Sequence, residues 1–539
     1  MTLAYLRHLK SLLVSADSAF ADAEHRLRTC QQALDEAKII FDLTEQEKRT
    51  LGRSRDGLRR AITEAQQTLQ YSSLLPDEIL SLIFVHAVAG TAATIPTATI
   101  DWTLARLPGA LRLVCRRWNS VALATRELWT YIVVPARLEH VSRPGLPAYL
   151  SQQLERSGTL NLNVLIDAEF YYKDGRVFCD RRDAIFQQTE FLREAFDVLV
   201  TEATTARISM LAVTGSPPKL DAVYATRYRS REPNDIRHLT MGLLRLPTPA
   251  LEEAYLLLEP EDSEGREPWD TSPPDHTSAY FPVAPKLRVL HMSFMPVICY
   301  PPHPGLPSLE RLLFQFRVLY ECHLVGMLSL CPSLRELASS VDSFKHDSLP
   351  GVQTPQTVAL SANSLYIGWE ACSSSFCQAV SLPNVTSLTI QPWRMFADDL
   401  HIQLAPTLTS LNFEEAEDLY PEDIDRLSIM TFVESFTLWT NDLDLDYLVG
   451  CLCRLDNPLW PRLKHIELGG SLGKKGGAEL VRLARRRAVA QAGNASSQAV
   501  TVAALETIRV KEQEIANWVL VLLRTILGTE RVVLEVGGR

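Results

Sequence analysis

The sequence predicts an α plus α/β chain in three successive parts. These are a helical, coiled-coil-patterned segment over residues 1–72, a small helical domain over 73–134, and an irregular repeat solenoid over 135–539. Three observations carry that reading. No proline precedes Pro76, and Ala, Leu, Glu, Arg and Gln dominate from residue 21 onward, which favours helix. Two apolar stripes at helical spacing follow Pro76. Beyond residue 150 a proline-led apolar pattern returns at near-constant intervals, as it does in a solenoid.

The first segment accepts a heptad frame over residues 27–69. One seam holds Leu27, Leu34, Phe41, Lys48, Arg55, Ile62 and Leu69, and the other holds Cys30, Ala37, Thr44, Leu51, Leu58 and Ala65. Lys48 and Arg55 interrupt the first seam, which argues against a long uniform zipper. Two arrangements fit. One is a coiled coil for self-association. The other is a helical hairpin packed on the next domain, with its break near Thr50-Leu51-Gly52.

The repeat can be counted. Its core is Pro-x-apolar-x-x-apolar-x-apolar. Pro285 with Leu287, Leu290 and Met292 fits, as does Pro307 with Leu309, Leu312 and Phe314. Pro383, Pro406 and Pro461 open three more copies, and Pro332 opens a partial one. Weaker copies start at Pro249, Val433 and Leu505, with a degenerate one near Leu360–Ile367. Pro285 to Pro307 is 22 residues, Pro307 to Pro332 is 25, and Pro383 to Pro406 is 23. These intervals lie in the leucine-rich-repeat range of roughly 20–29 residues. Each short run should be a strand with alternate side chains in a shared core, and each proline should mark a strand start. The turning asparagine or cysteine of such repeats does not recur, so irregular repeats are expected. Polar stretches near 259–284, 340–357 and 469–502 read as inserts, and the concave strand face is the expected substrate surface.

Residues 74–84 read LLPDEILSLIF. Pro76 suits a first helical turn, and Asp77 and Glu78 complement the positive end of the helix dipole. Leu75, Ile79, Leu82 and Ile83 fall on one face. In residues 111–122, Leu111, Val114, Cys115, Trp118 and Val121 form a second stripe, and Glu127-Leu128-Trp129 closes the unit.

The linked pieces Leu75-Pro76-x-Glu78-Ile79-Leu80, Ile83-Phe84, Leu111-x-x-Val114-Cys115-Arg116-x-Trp118 and Leu128-Trp129 resemble the F-box. The rest of the chain resembles the F-box-like proteins with C-terminal leucine-rich repeats that are abundant in fungi. The resemblance rests on Tyr149–Gly158 before the first strand and on Leu328–Leu334 at a repeat junction. It implies a three-helix module docking on the Skp-type adaptor of an SCF (Skp–cullin–F-box) ubiquitin ligase, and through it on a cullin, with the repeats binding a protein substrate. The adaptor-contact positions it implies are Leu75, Pro76, Glu78, Ile79, Leu80, Ile83 and Phe84, with Val114, Cys115 and Trp118 as packing or contact positions. The chain departs from the family in the 26 residues, Val85 to Ala110, that separate Phe84 from Leu111. That insert puts the middle helix in question. The competing reading is an interaction scaffold that acts without the ligase.

Charge and composition narrow the classes. With 54 basic and 64 acidic residues the net charge is −10, which argues against general nucleic-acid binding. Ten cysteines are scattered without zinc-ligand spacing, as in a reduced intracellular protein. The apolar part of 79–100 is too short for a bilayer. No cofactor, metal or catalytic constellation is expected, and the site is expected in the cytoplasm or nucleus. Gly469–Gly477 lacks phosphate-loop spacing and reads as a flexible link. Asp442, Asp444 and Asp446 lack the glycine and glutamate of a calcium loop. Arg482, Arg485, Arg486 and Arg487 read as a solvated helix face or an import signal. The acidic run from Glu414 to Asp425 reads as a solvated stretch or a lure for a basic substrate.

Overall fold

The computed structural model describes residues 2–92, 102–135, 145–167, 193–215, 236–258, 280–293, 304–345, 358–368, 380–391, 398–414, 426–439, 446–452, 459–469, 474–493, 502–511 and 516–535. It divides into two compact units, Met1–Phe84 and Val85–Arg539.

The first unit is dominated by one helix, α1 (Thr2–Leu74). It runs without interruption through Thr50-Leu51-Gly52, so the helical hairpin is excluded. A mid-helix glycine costs only about 1 kcal/mol, which the flanking turns absorb. Thr50 and Thr63 donate their hydroxyls to the carbonyls four residues back, at 2.6 and 3.0 Å. Glu24–Arg28 and Glu45–Arg49 form i,i+4 pairs at 3.4 and 2.8 Å, worth about 0.3–0.5 kcal/mol each. Pro76 ends the run, because it lacks an N–H and constrains the residue before it. A second helix, α2 (Asp77–Ala92), follows at once, and its Leu80 N–H donates to Pro76 O at 3.0 Å.

In the second unit, α3 (Trp102–Val114) and α4 (Arg116–Ala124) lead through a short 3-10 turn, Arg126–Trp129, into the sheet. Much of the insert after Phe84 is therefore helical. Val85–Ala92 lengthens α2, and residues 102–110 belong to α3. Residues 93–101 lie outside the described residues.

The sheet has fourteen parallel strands in chain order, from Tyr131–Pro135 to Val532–Glu535. Val358–Ala359 and Val380–Ser381 pair separately. Strand succeeding strand, always parallel, is the topology of an αβ repeat solenoid. One register position runs the whole length as a buried ladder: Ile132, Val164, Leu211, Ala254, Leu290, Leu312, Leu337, and on through Leu365, Leu388, Leu411, Phe436, Ile466, Ile508 and Val532. These are the middle apolar positions of the repeat. Leu287, Leu309, Leu334, Val385, Leu408, Val433, Leu463 and Leu505, its first apolar positions, are buried as well.

The prolines sit four residues before the strands begin, earlier than expected. They occupy the second place of a tight turn before the strand rather than its first residue. The N–H groups of Leu287, Leu309, Leu334 and Leu463 donate to the carbonyls of Ala284, Leu306, Cys331 and Trp460, at 3.1–3.3 Å. Proline is favoured there because its fixed φ matches the turn. After each turn two successive N–H groups share one carbonyl of the previous rung. Glu310 and Arg311 both donate to Arg288 O, and Thr409 and Ser410 both donate to Thr386 O.

The inserts read from composition are partly regular structure. Residues 340–345 finish the strand Glu336–Lys345. Lys474–Gly493, within the stretch expected to be polar insert and flexible link, is a 20-residue helix that buries Leu480, Val481, Leu483 and Ala484. Arg487 of that helix is also buried, so it does not share a solvated face with Arg482 and Arg485. Residues 259–279 and 346–357, most of the acidic run after Glu414, and Asp442 and Asp444 lie outside the described residues. No helix among the described residues is long and apolar enough to cross a membrane.

Candidate functional site

The candidate surfaces are the first turns of α2, the stretch from α3 to Trp129, and the open face of the sheet.

On α2 the anticipated contact residues divide by face. Ile79 and Ile83 are 42% and 47% exposed, and Leu82 beside them is 54% exposed. Pro76 and Glu78 are also exposed, and Leu75 is half-buried. Leu80 and Phe84, by contrast, are both 1% exposed. They are buried within the protein's own packing. The split follows from helical geometry: residues 80, 84 and 88 line one face and 79, 82, 83 and 86 another, and Val88 is buried with the first set.

The stripe Leu111–Ala122 does not form the one helix its spacing suggested. It breaks at Cys115, whose backbone is extended (φ −161°, ψ 169°). Cys115 caps α4: its sulfur accepts from the Trp118 N–H at 3.4 Å, and its carbonyl accepts from Asn119 N–H at 2.9 Å. The break turns Val114 and Cys115 outward, with Leu113 87% exposed beside them. Trp118 is half-buried, while Leu111 and Val121 are buried. Leu82 and Leu113 were not among the anticipated contacts. Both follow from helical spacing: Leu82 lies on the Ile79 face, and Leu113 lies on α3 opposite buried Leu111.

The closing Leu128-Trp129 pair is core. Trp129 is 1% exposed, and its indole N–H donates to Ala122 O at 2.9 Å. The Arg156 guanidinium lies 4.4 Å from the ring centre, and Arg112 lies at 6.0 Å. Burial, and secondly the Arg112 charge, push the Arg156 pKa down. Arg112 is steadied by Asn119 Oδ1 at 3.0 Å. The link before the second strand is fixed by Arg207, which donates to Leu160 O at 2.9 Å and to Ser157 Oγ at 2.6 Å. Gly158 in that link has φ +60°, a region that favours glycine.

No family model matches the chain. No curated protein aligns with it. Among solved structures, the yeast Rad7 and Elc1 complex is similar at 13% identity, covering 76% of this chain and 92% of that chain, with a TM-score of 0.32. A likeness at that score carries no argument about this chain.

The sheet's open face is built from the positions between the buried ladders, so its composition follows from the x residues of the repeat. It has three zones. The first strands of interest carry charge and aromatic groups. Tyr255 donates to Glu253 at 2.9 Å, His291 stands beside Tyr255, and Arg311 pairs with Glu336. Burial, then the hydrogen bond to Glu253, pushes the Tyr255 pKa up to about 12, and burial pushes His291 down. The middle zone is mostly uncharged, with Glu414 accepting from Asn412 at 3.2 Å at its edge. Ser364, Ser387, Ser410 and Ser435 stack in register, flanked by Tyr366, Thr389, Asn412 and Thr437. The last zone is charged again. Lys464 meets Glu434 at 2.8 Å, Arg509 meets Glu467 at 3.2 Å, and His465 Nδ1 lies 2.7 Å from Thr507 Oγ1. Near the turns that precede the strands, a depression of about 670 Å³ is lined by Glu252, Lys286, Arg288, Glu310 and Arg335 among others.

Proposed function

We propose that this chain is the non-catalytic substrate-receptor subunit of an SCF ubiquitin ligase. Its F-box-like segment docks on a Skp-type adaptor, through which a cullin is reached. The open face of its sheet receives a protein substrate inside the cell. One observation carries the reading: the Leu75-Pro76-x-Glu78-Ile79-Leu80 opening lies on a helix whose inner face is used and whose outer face, Ile79, Leu82 and Ile83, is apolar and exposed. Helix-in-groove docking needs such a stripe: apolar anchors enter a complementary surface and polar residues rim it. Glu78 and Asp77 supply the rim at the helix start. No cofactor is required by this mode of action.

The test is co-purification of the full chain with the Skp-type adaptor. Wild type should form a stable complex. Ile79→Lys together with Ile83→Lys should abolish it, because buried apolar anchors carry about 2 kcal/mol or more each, roughly 30-fold in affinity per residue. Leu80→Ala and Phe84→Ala are unsuited to this purpose, since they would act through folding. Wild-type protein that does not bind the adaptor, or a double variant that binds normally, overturns the proposal and leaves the ligase-independent scaffold.

A further inference from the structure

The large apolar side chains of the 73-residue helix α1 that are described, from Tyr5 to Ile62, are exposed. Six successive positions of one heptad seam, Leu6, Leu13, Phe20, Leu27, Leu34 and Phe41, are 56–69% exposed, and Ile62 further along is 57% exposed. The seven-residue period thus begins four residues into the helix and is kept through Ile62 with two cations, Lys48 and Arg55, in the series. Helices of this length are held by packing of an apolar face more than by propensity, and a sustained 3.5-residue period is what a two-stranded supercoil requires.

We infer that α1 is one strand of an antiparallel two-stranded coiled coil formed with a second copy of this chain. The area suffices. At 1.5 Å per residue the helix is about 110 Å long, and a seam about 10 Å wide gives about 1,100 Å² per helix, above the roughly 800 Å² per partner of a standard stable interface.

The contents of the two seams decide the direction. The first seam is bulky. The second is mostly small over its first half: Ala16, Ala23, Cys30 and Ala37. A parallel pair would stack large on large and small on small. It would also set Lys48 on Lys48 and Arg55 on Arg55 in consecutive layers, with like charges close together. An antiparallel pair places each first-seam residue against a second-seam residue of the other chain. In the layer register with the longest overlap, facing residue numbers sum to 78. Lys48 then faces Cys30, Arg55 faces Ala23, Ile62 faces Ala16 and Phe41 faces Ala37. Large meets small in those layers, as close packing requires, and each cation has a small neighbour past which its head can reach water. Asp17 and Arg59 are brought to the same flank with opposite charges.

The full chain in a Cys115→Ser background tests this. Light scattering or sedimentation at about 10–50 μM should give twice the chain mass, and Leu27→Glu with Leu34→Glu should return it to one chain. The thermal transition of the sheet should not move. Lys48→Cys should place a thiol opposite the native Cys30 of the other copy. With oxidised glutathione as acceptor, two thiols become one disulfide and two glutathione thiols are released. Peptide mapping should find Cys30 bridged to the introduced cysteine, and no Cys30–Cys30 bridge without it. A monomeric mass, or a mass of three or more chains, overturns the proposal. A Cys30–Cys30 bridge in the Lys48 chain also overturns it, because only a parallel in-register pair would bring those thiols together.

Discussion

Replacing Arg487 tests how the last turns of the solenoid are held. Its guanidinium is 2% exposed and donates to three carbonyls of the turn before the strand His465–Gly469: Leu463 O at 2.9 Å, Trp460 O at 3.0 Å and Leu459 O at 3.3 Å. Trp460 is fully buried and has φ +50°, a conformation that costs a bulky residue about 1–3 kcal/mol and persists only where its surroundings enforce it. Arg487 is part of that enforcement. Trp460 O also receives the Leu463 N–H at 3.1 Å, so it keeps one donor when the side chain goes. Leu459 O and Leu463 O lose theirs, at about 1–3 kcal/mol per buried acceptor. Against this stands the relief of not burying a charge, which can match the gain from its bonds. The bonds should win here, because three acceptors converge on one planar fork. Arg487→Met, which keeps the stem volume, should cost about 2 kcal/mol, and Arg487→Ala about 3–4 kcal/mol once the cavity is added. A chain of this size need not unfold in two states, so the assay is hydrogen exchange over residues 459–468, supported by the urea midpoint. Both variants should exchange faster there, with the strands at Ile132 and Val164 unaffected. Arg487→Met as protected as wild type would refute the reasoning, since desolvation would then outweigh the hydrogen bonds.

Other perturbations are equally specific. A Cβ on Gly469 would overlap the Trp439 indole on the neighbouring strand, so Gly469→Ala should cost about 1–3 kcal/mol through overpacking, read as a lower urea midpoint; an unchanged midpoint would show that the indole swings away freely. Phe436 bridges Phe413 at 5.8 Å and Trp460 at 4.7 Å, and Phe436→Ala should lose about 3–5 kcal/mol in the same measurement. The pH profile of stability should be flat between about 6.5 and about 10, the ordinary values of histidine and tyrosine. Below that window the unfolded chain takes a proton that buried His291, its pKa lowered, refuses, so stability falls with falling pH. Above it the unfolded chain releases a proton that Tyr255, raised to about 12, keeps, so stability falls with rising pH. His291→Gln should soften the acid limb alone, and Tyr255→Phe the alkaline limb alone.

The repeat was legible because burial in a parallel ladder imposes a strict period on residue type. Leu290, Leu312, Leu388 and Leu411 occupy equivalent rungs, and a shift of one residue would expose the whole set. Proline advertised the register, since a fixed φ is wanted at the same place in each turn. Where no proline opens the turn, as before Val164 and Leu211, the strands were foreseen only in outline, whereas the apolar run Thr130–Val134 announced the strand Tyr131–Pro135. The helix Lys474–Gly493 was legible only around its arginine cluster, and its first half was obscured for a related reason. Its opening Lys-Lys-Gly-Gly is poor helix sequence, and only docking of Leu480, Leu483 and Ala484 overrides propensity.

The helical segment shows where spacing stops being informative. Leu80 and Ile79 are adjacent, similar in size and both matched by the same motif, yet one is 1% exposed and the other 42%. A motif records that both are apolar without recording which side is already occupied. In the stripe Leu111–Val121 the period is continuous, but the chain is not helical at Cys115, where the sulfur serves as a cap. That single extended residue ends α3 and leaves Val114, a member of the stripe, 42% exposed, while Leu113 lies opposite Leu111 on α3 and is exposed on spacing alone. The exposure of Val114 and Cys115 is thus tied to a backbone break that periodicity cannot register. Restoring helix there by Cys115→Ala should remove the cap at a cost of about 1 kcal/mol and turn Val114 back into the stripe. A loss of adaptor binding in that variant, with the sheet transition unchanged, would assign the Leu113–Val114 corner to the docking surface. Unchanged binding would confine docking to the Ile79–Ile83 stripe of α2.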